Sequence, residues 1–136
     1  MKSKSKIQRI TVKAIIENNG RVLVVRDQKG IWELPGGRVE FGEHPIDALE
    51  RELIEELGAK QINVKRLFDV WDFIVELPSE HYQFIVLVFM CDVNIPSIKI
   101  SDEHNLFRWM TMDDIKTEPM REGYRKSIVS YLKANI

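Results

Sequence analysis

The stretch from Gly37 to Ala59, GRVEFGEHPIDALERELIEELGA, constrains the fold more than any other part of the chain. A glycine turn leads into a helix predicted over Pro45 to Leu57. Proline suits the first helical position, because its missing N–H has no intrahelical partner there. Gly58 is the natural stop, since glycine accepts the left-handed conformation that closes many helices. Ile46, Leu49, Leu53 and Leu57 fall on one stripe at helical spacing. Such a stripe must be buried, and a neighbouring sheet is the surface expected to cover it.

A second face of this helix carries charge that a solvated surface does not explain. At ~100° per residue, with Glu52 at zero, Glu55 lies near about −60° and Glu56 near about +40°. The three carboxylates share one arc beside the apolar stripe, at the rim of the core. Glu52 faces Glu56 at i+4, a like-charge pair that costs helix stability. Arg51 offsets part of this through Glu55 or Asp47. Carboxylates gathered in this way repel one another unless a cation holds them together. Oxygen-only donors favour a hard cation, Mg²⁺ or Mn²⁺ as its substitute, and Mg²⁺ usually works with substrate phosphates.

The flanks supply the rest of a mixed fold. Thr11 to Ile16 reads as a strand, and Glu17-Asn18-Asn19-Gly20 as a tight turn, since Asn-Gly tolerates positive φ. Arg21 to Arg26 is the return strand, too apolar to be half exposed. Ile31 to Leu34 is a short strand ending at Pro35-Gly36-Gly37. Beyond the helix, Val64 to Asp69 and Trp71 to Val75 are strand candidates. A turn follows near Pro78-Ser79-Glu80, then a long strand from Tyr82 to Met90. Phe107 to Met110 is a further short strand, and Asp113-Asp114-Ile115 opens a turn of helix. Arg121 to Lys133 reads as a final amphipathic helix with Tyr124, Ile128, Tyr131 and Leu132 on its apolar side. The order of elements indicates an α/β (α+β) chain with a mixed sheet.

The 136 residues suit one domain spanning 1–136, with residues 1–6 as a basic tail. A composition of 44% hydrophobic and 30% charged residues is that of a soluble globular chain. The net charge of −1 provides no overall basic field for duplex nucleic acid or an acidic membrane. Local cations or a metal are enough for a phosphate-bearing small molecule. Cys91, the only cysteine, excludes an intrachain disulfide and a cysteine zinc site, and reads as a small buried residue. No run approaches the ~18 apolar residues of a membrane helix. The basic start has no apolar segment behind it, so it does not read as a signal peptide, and the expected location is the cytoplasm.

On these residues, Gly37 to Ala59 resembles a complete Nudix box, the signature of hydrolases acting on a nucleoside diphosphate linked to another group. The spacing is Gly37, five residues, Glu43, seven residues, then Arg51-Glu52-Leu53-Ile54-Glu55-Glu56-Leu57-Gly58-Ala59. At average residue usage, chance matches its seven fixed Gly, Arg and Glu positions roughly once in ten to the eighth. The preceding Trp32-Glu33-Leu34-Pro35-Gly36 is similar to the family as well. The resemblance implies an α/β/α sandwich around a central mixed β-sheet, with the box (37–59) as loop, helix and loop. It implies Glu52, Glu55 and Glu56 as metal ligands, with the Gly36 carbonyl as another. Arg51 and Glu43 would form the pair that orients the helix. Glu103, six residues before Trp109, would be a further ligand or general base, with Asp102 as the competing choice. His44 stands where the family often has a capping Ser or Thr. That cap is worth about 1 kcal/mol, and Asp47 recovers part of it through the helix dipole.

The short chain and its Trp-Glu-Leu-Pro-Gly-Gly-Arg-Val-Glu-Phe-Gly-Glu segment look like MutT-like nucleoside triphosphate pyrophosphatases. The implied reaction is Mg²⁺-dependent conversion of a (d)NTP to NMP and pyrophosphate. Arg26 is a candidate phosphate contact. Trp71, Phe73, Tyr82 and the loop Lys116 to Met120 are candidate base contacts. Additional motifs of coenzyme A and NADH hydrolases are not found. Val75 to Leu77 lack the tyrosine of diadenosine polyphosphate hydrolases, and Pro78 comes late for ADP-ribose hydrolases. ADP-ribose or a nucleotide sugar is the nearest alternative substrate, and RNA 5′-end processing is a further one. A non-catalytic nucleotide-binding regulatory module is the alternative of another class, and would be expected to have lost a box glutamate. None is lost. The resemblance admits a homodimer, but no residue pattern requires one.

Overall fold

The apolar strands of this chain are buried on both sides, and that sets the layering. The computed structural model describes residues 4–96 and 104–134, with the side chains of 104–106 outside the description. Its elements are β1 (Ser5–Ile15), β2 (Glu17–Asn18), β3 (Arg21–Asp27), β4 (Trp32–Glu33), β5 (Gly36–Arg38), α1 (Pro45–Leu57), β6 (Lys60–Glu76), β7 (Glu80–Asn94), β8 (His104–Met110), α2 (Met112–Thr117) and α3 (Glu122–Ala134). Strands β5-β1-β7-β6 form a mixed sheet in which β1 and β7 run parallel. Beside it, β2, β3 and β4 form an antiparallel sheet, with β8 paired to β3.

Strand alternation divides the core in two. Val12, Ala14, Leu23, Val25 and Phe89 pack with Ala48, Leu49, Leu53 and Leu57 of α1. Their sequence neighbours Ile15, Val22, Val24, Val86 and Val88 pack with Ile115 of α2 and Tyr124, Ile128 and Leu132 of α3. The strands therefore lie between α1 on one face and α2 with α3 on the other, the expected α/β/α sandwich. Each fully buried leucine of the α1 stripe contributes roughly 1.5–3 kcal/mol of apolar burial. Asn19 and Gly20 take φ of 53° and 78°, the positive pair expected of the tight hairpin.

Three expectations are corrected. The first strand begins at Ser5, not Thr11, so Ser5 and Lys6 leave the proposed tail. They pair in parallel with Glu80 and His81, and such backbone pairing is indifferent to the polar character of the side chains. The two strand candidates after the box are one strand, β6, paired with β7. Register irregularities near Lys60/Asn63, Val64/Arg66 and Leu67/Asp69 let it bend without breaking. Finally, His44 caps α1 itself. Its extended backbone and its Nδ1, which accepts the Ile46 N–H at 3.2 Å, do what Ser or Thr would do. A neutral imidazole carries one such acceptor nitrogen.

Candidate active site

Two glycines let strand β5 lie directly on the carboxylates of α1. Gly36 and Gly37 pair with Lys13 and Val12 of β1. Gly36 has φ of 140°, and a Cβ there would sit 2.1 Å from the Val12 carbonyl oxygen. Without that Cβ its N–H reaches Glu56 and donates to Oε1 at 3.2 Å. At Gly37 a Cβ would fall 2.3 Å from the carboxyl carbon of Glu52. Close approach thus demands glycine at Gly36, where the obstacle is backbone, and favours it at Gly37, where the obstacle is the Glu52 side chain.

Arg51 ties the approach loop to the helix. Its Nε and Nη2 donate to the two carboxylate oxygens of Glu43 at 2.8 and 2.9 Å. Nη1 donates to Glu52 Oε1 at 2.9 Å, and Nη2 also reaches the Arg38 carbonyl at 3.1 Å. Glu55 stands 3.5 Å from the same guanidinium. The bidentate bond from Arg51, with the Glu40 N–H, holds the Glu43 carboxyl down to about 2. Burial instead raises the Glu52 carboxyl above its ordinary value. Arg51 opposes that shift, and the Glu56 and Glu55 charges add to it. The side chains are graded from Glu55, 62% exposed, through Glu52 at 18% to Glu56 at 3%.

Beneath the glycine turn lies a buried cation, Lys13, only 4% exposed. Its Nζ donates to Glu33 Oε1 at 2.7 Å. Burial alone would lower its pKa, but Tyr124, Glu33 and Glu56 outweigh burial, and the pKa is raised. Lys13, Glu33, Gly36 and Gly37 belong to the wall of a cleft of about 750 Å³. Elsewhere the cleft is lined by Trp32, Phe73, Phe84, Met120, Arg121 and Tyr124, so charge and aromatic surface share one space.

Among the described residues, no three acidic side chains already converge as a coordination cluster. Glu52 is held by Arg51, Glu56 by the Gly36 N–H, and Glu55 faces solvent. The donor set still fits a hard divalent cation. It is all oxygen, it gathers on one turn of α1, and the absence of a Cβ at Gly37 lets the β5 backbone lie against the Glu52 carboxylate. Glu52, Glu55, Glu56 and the Gly36 carbonyl would hold such an ion.

Of the expected substrate contacts, Phe73 lines the cleft, and so does Met120 from the loop after α2. Trp71 packs inward, stacked on Phe73 at 5.4 Å and edge-on to Tyr124 at 4.7 Å. Tyr82 lies beyond Phe84 and lines a separate groove with Ile7, Gln8 and His81. Arg26 sets its guanidinium 5.6 Å over the Trp32 ring. Glu103 and Asp102 lie outside the described residues. Sequence reasoning passed over Lys13 and Arg121. Lys13 did leave a signal, a lone charge inside the otherwise apolar Val12–Ile16 run. Arg121 left none, because an arginine at the start of a helix is ordinary surface.

A family model described as the NUDIX domain matches residues 7–131. The nucleoside triphosphatase NudI of Escherichia fergusonii is 33% identical over 135 aligned positions, covering 89% of this chain and 94% of that protein. The crystal structure of a MutT protein from Methanosarcina mazei Go1 superposes with a TM-score of 0.81 at 27% identity, covering 98% and 99% of the two chains. An ADP-ribose pyrophosphatase from Streptococcus suis, at 19% identity and a TM-score of 0.73 over 93% and 91% of the chains, shares the fold. Among the described residues no helix is long and apolar enough to cross a membrane. With its glycine turn seated on the α1 glutamates and a family match along most of its length, this chain belongs to the Nudix family as a MutT-like pyrophosphohydrolase acting on nucleoside diphosphate derivatives.

Proposed function

We propose that the protein hydrolyses nucleoside or deoxynucleoside triphosphates to NMP and pyrophosphate, with Mg²⁺ as its cation and Mn²⁺ as a substitute. The observation that carries this reading is the cleft, which runs from the Gly36–Gly37 turn to aromatic surface at Phe84 and Phe73. From β5 to β6 it crosses three inter-strand steps of about 4.8 Å, or roughly 14 Å, the span of a nucleotide with its phosphates. The similarity to NudI, a nucleoside triphosphatase, supports it.

In this reading Glu52, Glu55, Glu56 and the Gly36 carbonyl bind the cation. A bound divalent cation would lower the pKa of water and neutralise charge on a diphosphate. Arg51 and Glu43 fix the rotamer of Glu52 through the fork of hydrogen bonds described above. A carboxylate, Glu52, Glu56 or Glu103, accepts the proton of the attacking water. Lys13 supplies positive charge to the buried end of the site. Positioning and charge neutralisation account for most of the rate gain.

The test is a hydrolysis panel with and without Mg²⁺, covering dNTPs, NTPs, ADP-ribose and nucleotide sugars, with products identified. NMP plus pyrophosphate is the expected outcome, whereas sugar phosphate products alone would move the substrate to ADP-ribose or nucleotide sugars. Glu56→Gln is expected to lower kcat roughly a thousandfold, about 4 kcal/mol of transition-state stabilisation. Wild-type turnover by that variant would remove the glutamate from the chemistry.

A further inference from the structure

Arg121 stands immediately before Glu122, where α3 begins, and its guanidinium carbon lies 4.1 Å from the Phe73 ring centroid. Among the described residues no hydrogen bond or ion pair engages its N–H groups. Arg51, Arg108 and Arg125 have theirs committed to carboxylates or carbonyls. Arg121 therefore holds a planar fork of donors against an aromatic ring in the wall of the substrate cleft.

We infer that Arg121 reads the base. The cleft accepts nucleotides whose base carries a carbonyl at the purine 6 or pyrimidine 4 position (guanine, uracil or thymine) over those carrying an amino group there (adenine or cytosine). The inference rests on the triphosphatase reading above and names the substrate class within it. A guanidinium has five donors and no acceptor. Guanine offers O6 with N7, and thymine or uracil offers O4, whereas adenine N6 and cytosine N4 are themselves donors. Both carboxylates of the cleft wall already hold donors, which leaves them less free to receive those amino groups. Asp27 Oδ1 accepts the Lys29 and Ile31 N–H groups at 2.8 and 3.0 Å, and Glu33 is bound to Lys13. Phe73 and Phe84 stack with ring centroids 5.1 Å apart, which makes a sheet-borne platform for a base. In the free protein the guanidinium covers the Phe73 end of that platform. A base entering there displaces it to the base edge, a short movement for an exposed, flexible side chain.

The test compares kcat/KM for dGTP, dTTP, dATP and dCTP in the full chain with Mg²⁺, for wild type, Arg121→Met and Arg121→Lys. Wild type is expected to favour dGTP and dTTP over dATP and dCTP by roughly 5- to 100-fold, the worth of one good base contact. Arg121→Met keeps the apolar stem and removes the donors. It should bring the four substrates to within about twofold, through a raised KM for dGTP and dTTP with kcat unchanged. Arg121→Lys should restore only part of the preference, because an ammonium lacks the planar fork. Equilibrium binding of the four monophosphates, read by tryptophan fluorescence, measures the same preference without turnover. A binding preference with no triphosphate hydrolysed would overturn the triphosphatase reading and leave Arg121 in place. Equal handling of all four bases by wild type, or a preference that survives Arg121→Met, would overturn the role of Arg121.

Discussion

At Lys13 a cation sits inside a strand whose neighbours are apolar on both faces. Burying an ammonium is costly unless it is paired and hydrogen-bonded, and here Glu33 binds it at 2.7 Å with Glu56 close enough to contribute. The residue thus joins packing to the charge of the site. Glu43 illustrates the opposite case, an ion pair near the surface whose value depends on pH. Its carboxyl is held at about 2, below the ordinary 4.5, by the Arg51 fork. A depressed acid stabilises the fold fully above its unfolded value and loses that contribution as pH falls through the folded one. Urea midpoints of wild type and Glu43→Gln should therefore differ most near neutral pH. The gap should close as pH drops from 4.5 toward 2. A gap of constant size down to that pH would assign the stabilisation to something other than the Glu43 charge.

Among the elements, the β5 turn and α1 act as one unit, and the two adjoining glycines should respond differently to the same change. Gly36→Ala places a methyl 2.1 Å from a backbone oxygen at a φ of 140°, so neither neighbour can yield cheaply. It should cost about 3 kcal/mol or more in folding stability, measured by chemical denaturation. At Gly37 the obstructing atoms belong to Glu52, a side chain that can swing away. Gly37→Ala should leave the melting temperature nearly unchanged and lower kcat roughly a hundredfold by misplacing that carboxylate. Equal effects of the two substitutions on stability would contradict the geometry. Most of α1 is legible from its sequence because its signals are local. Pro45, the leucine stripe and Gly58 predict Pro45 to Leu57, and the helix spans those residues. The His44 cap was hidden, because histidine caps only when its ring nitrogen happens to reach a free N–H.

For the molecule as a whole, the site is a seam between layers: α1 on one face, α2 and α3 on the other, and the two sheets between them. Like charges gathered on α1 are a cost that cation binding would relieve, so a bound cation would be linked to folding by mass action. Mg²⁺ at ten times its dissociation constant should raise the melting temperature by about 5 °C in wild type. The shift should be largely absent in Glu52→Gln, as calorimetry would show. An equal shift in both proteins would move the cation away from these carboxylates.

What the amino-acid sequence determined by itself was whatever is encoded at short range. That includes the box helix with its proline start, glycine stop and apolar stripe, the Asn19-Gly20 hairpin, the arc of carboxylates and, through the box, the family. Periodicity and turn chemistry act over a few residues and can be read from them. Only the tertiary structure decided which face of each strand meets which helix, that β6 bends rather than breaks, and that Lys13 lies under the glycine turn. The same is true of Arg121 lying on Phe73. Those two residues are 48 positions apart in the sequence and meet at 4.1 Å. Their contact depends on the register of β6 against β7 and on how α3 packs across it, long-range packing that no local pattern encodes.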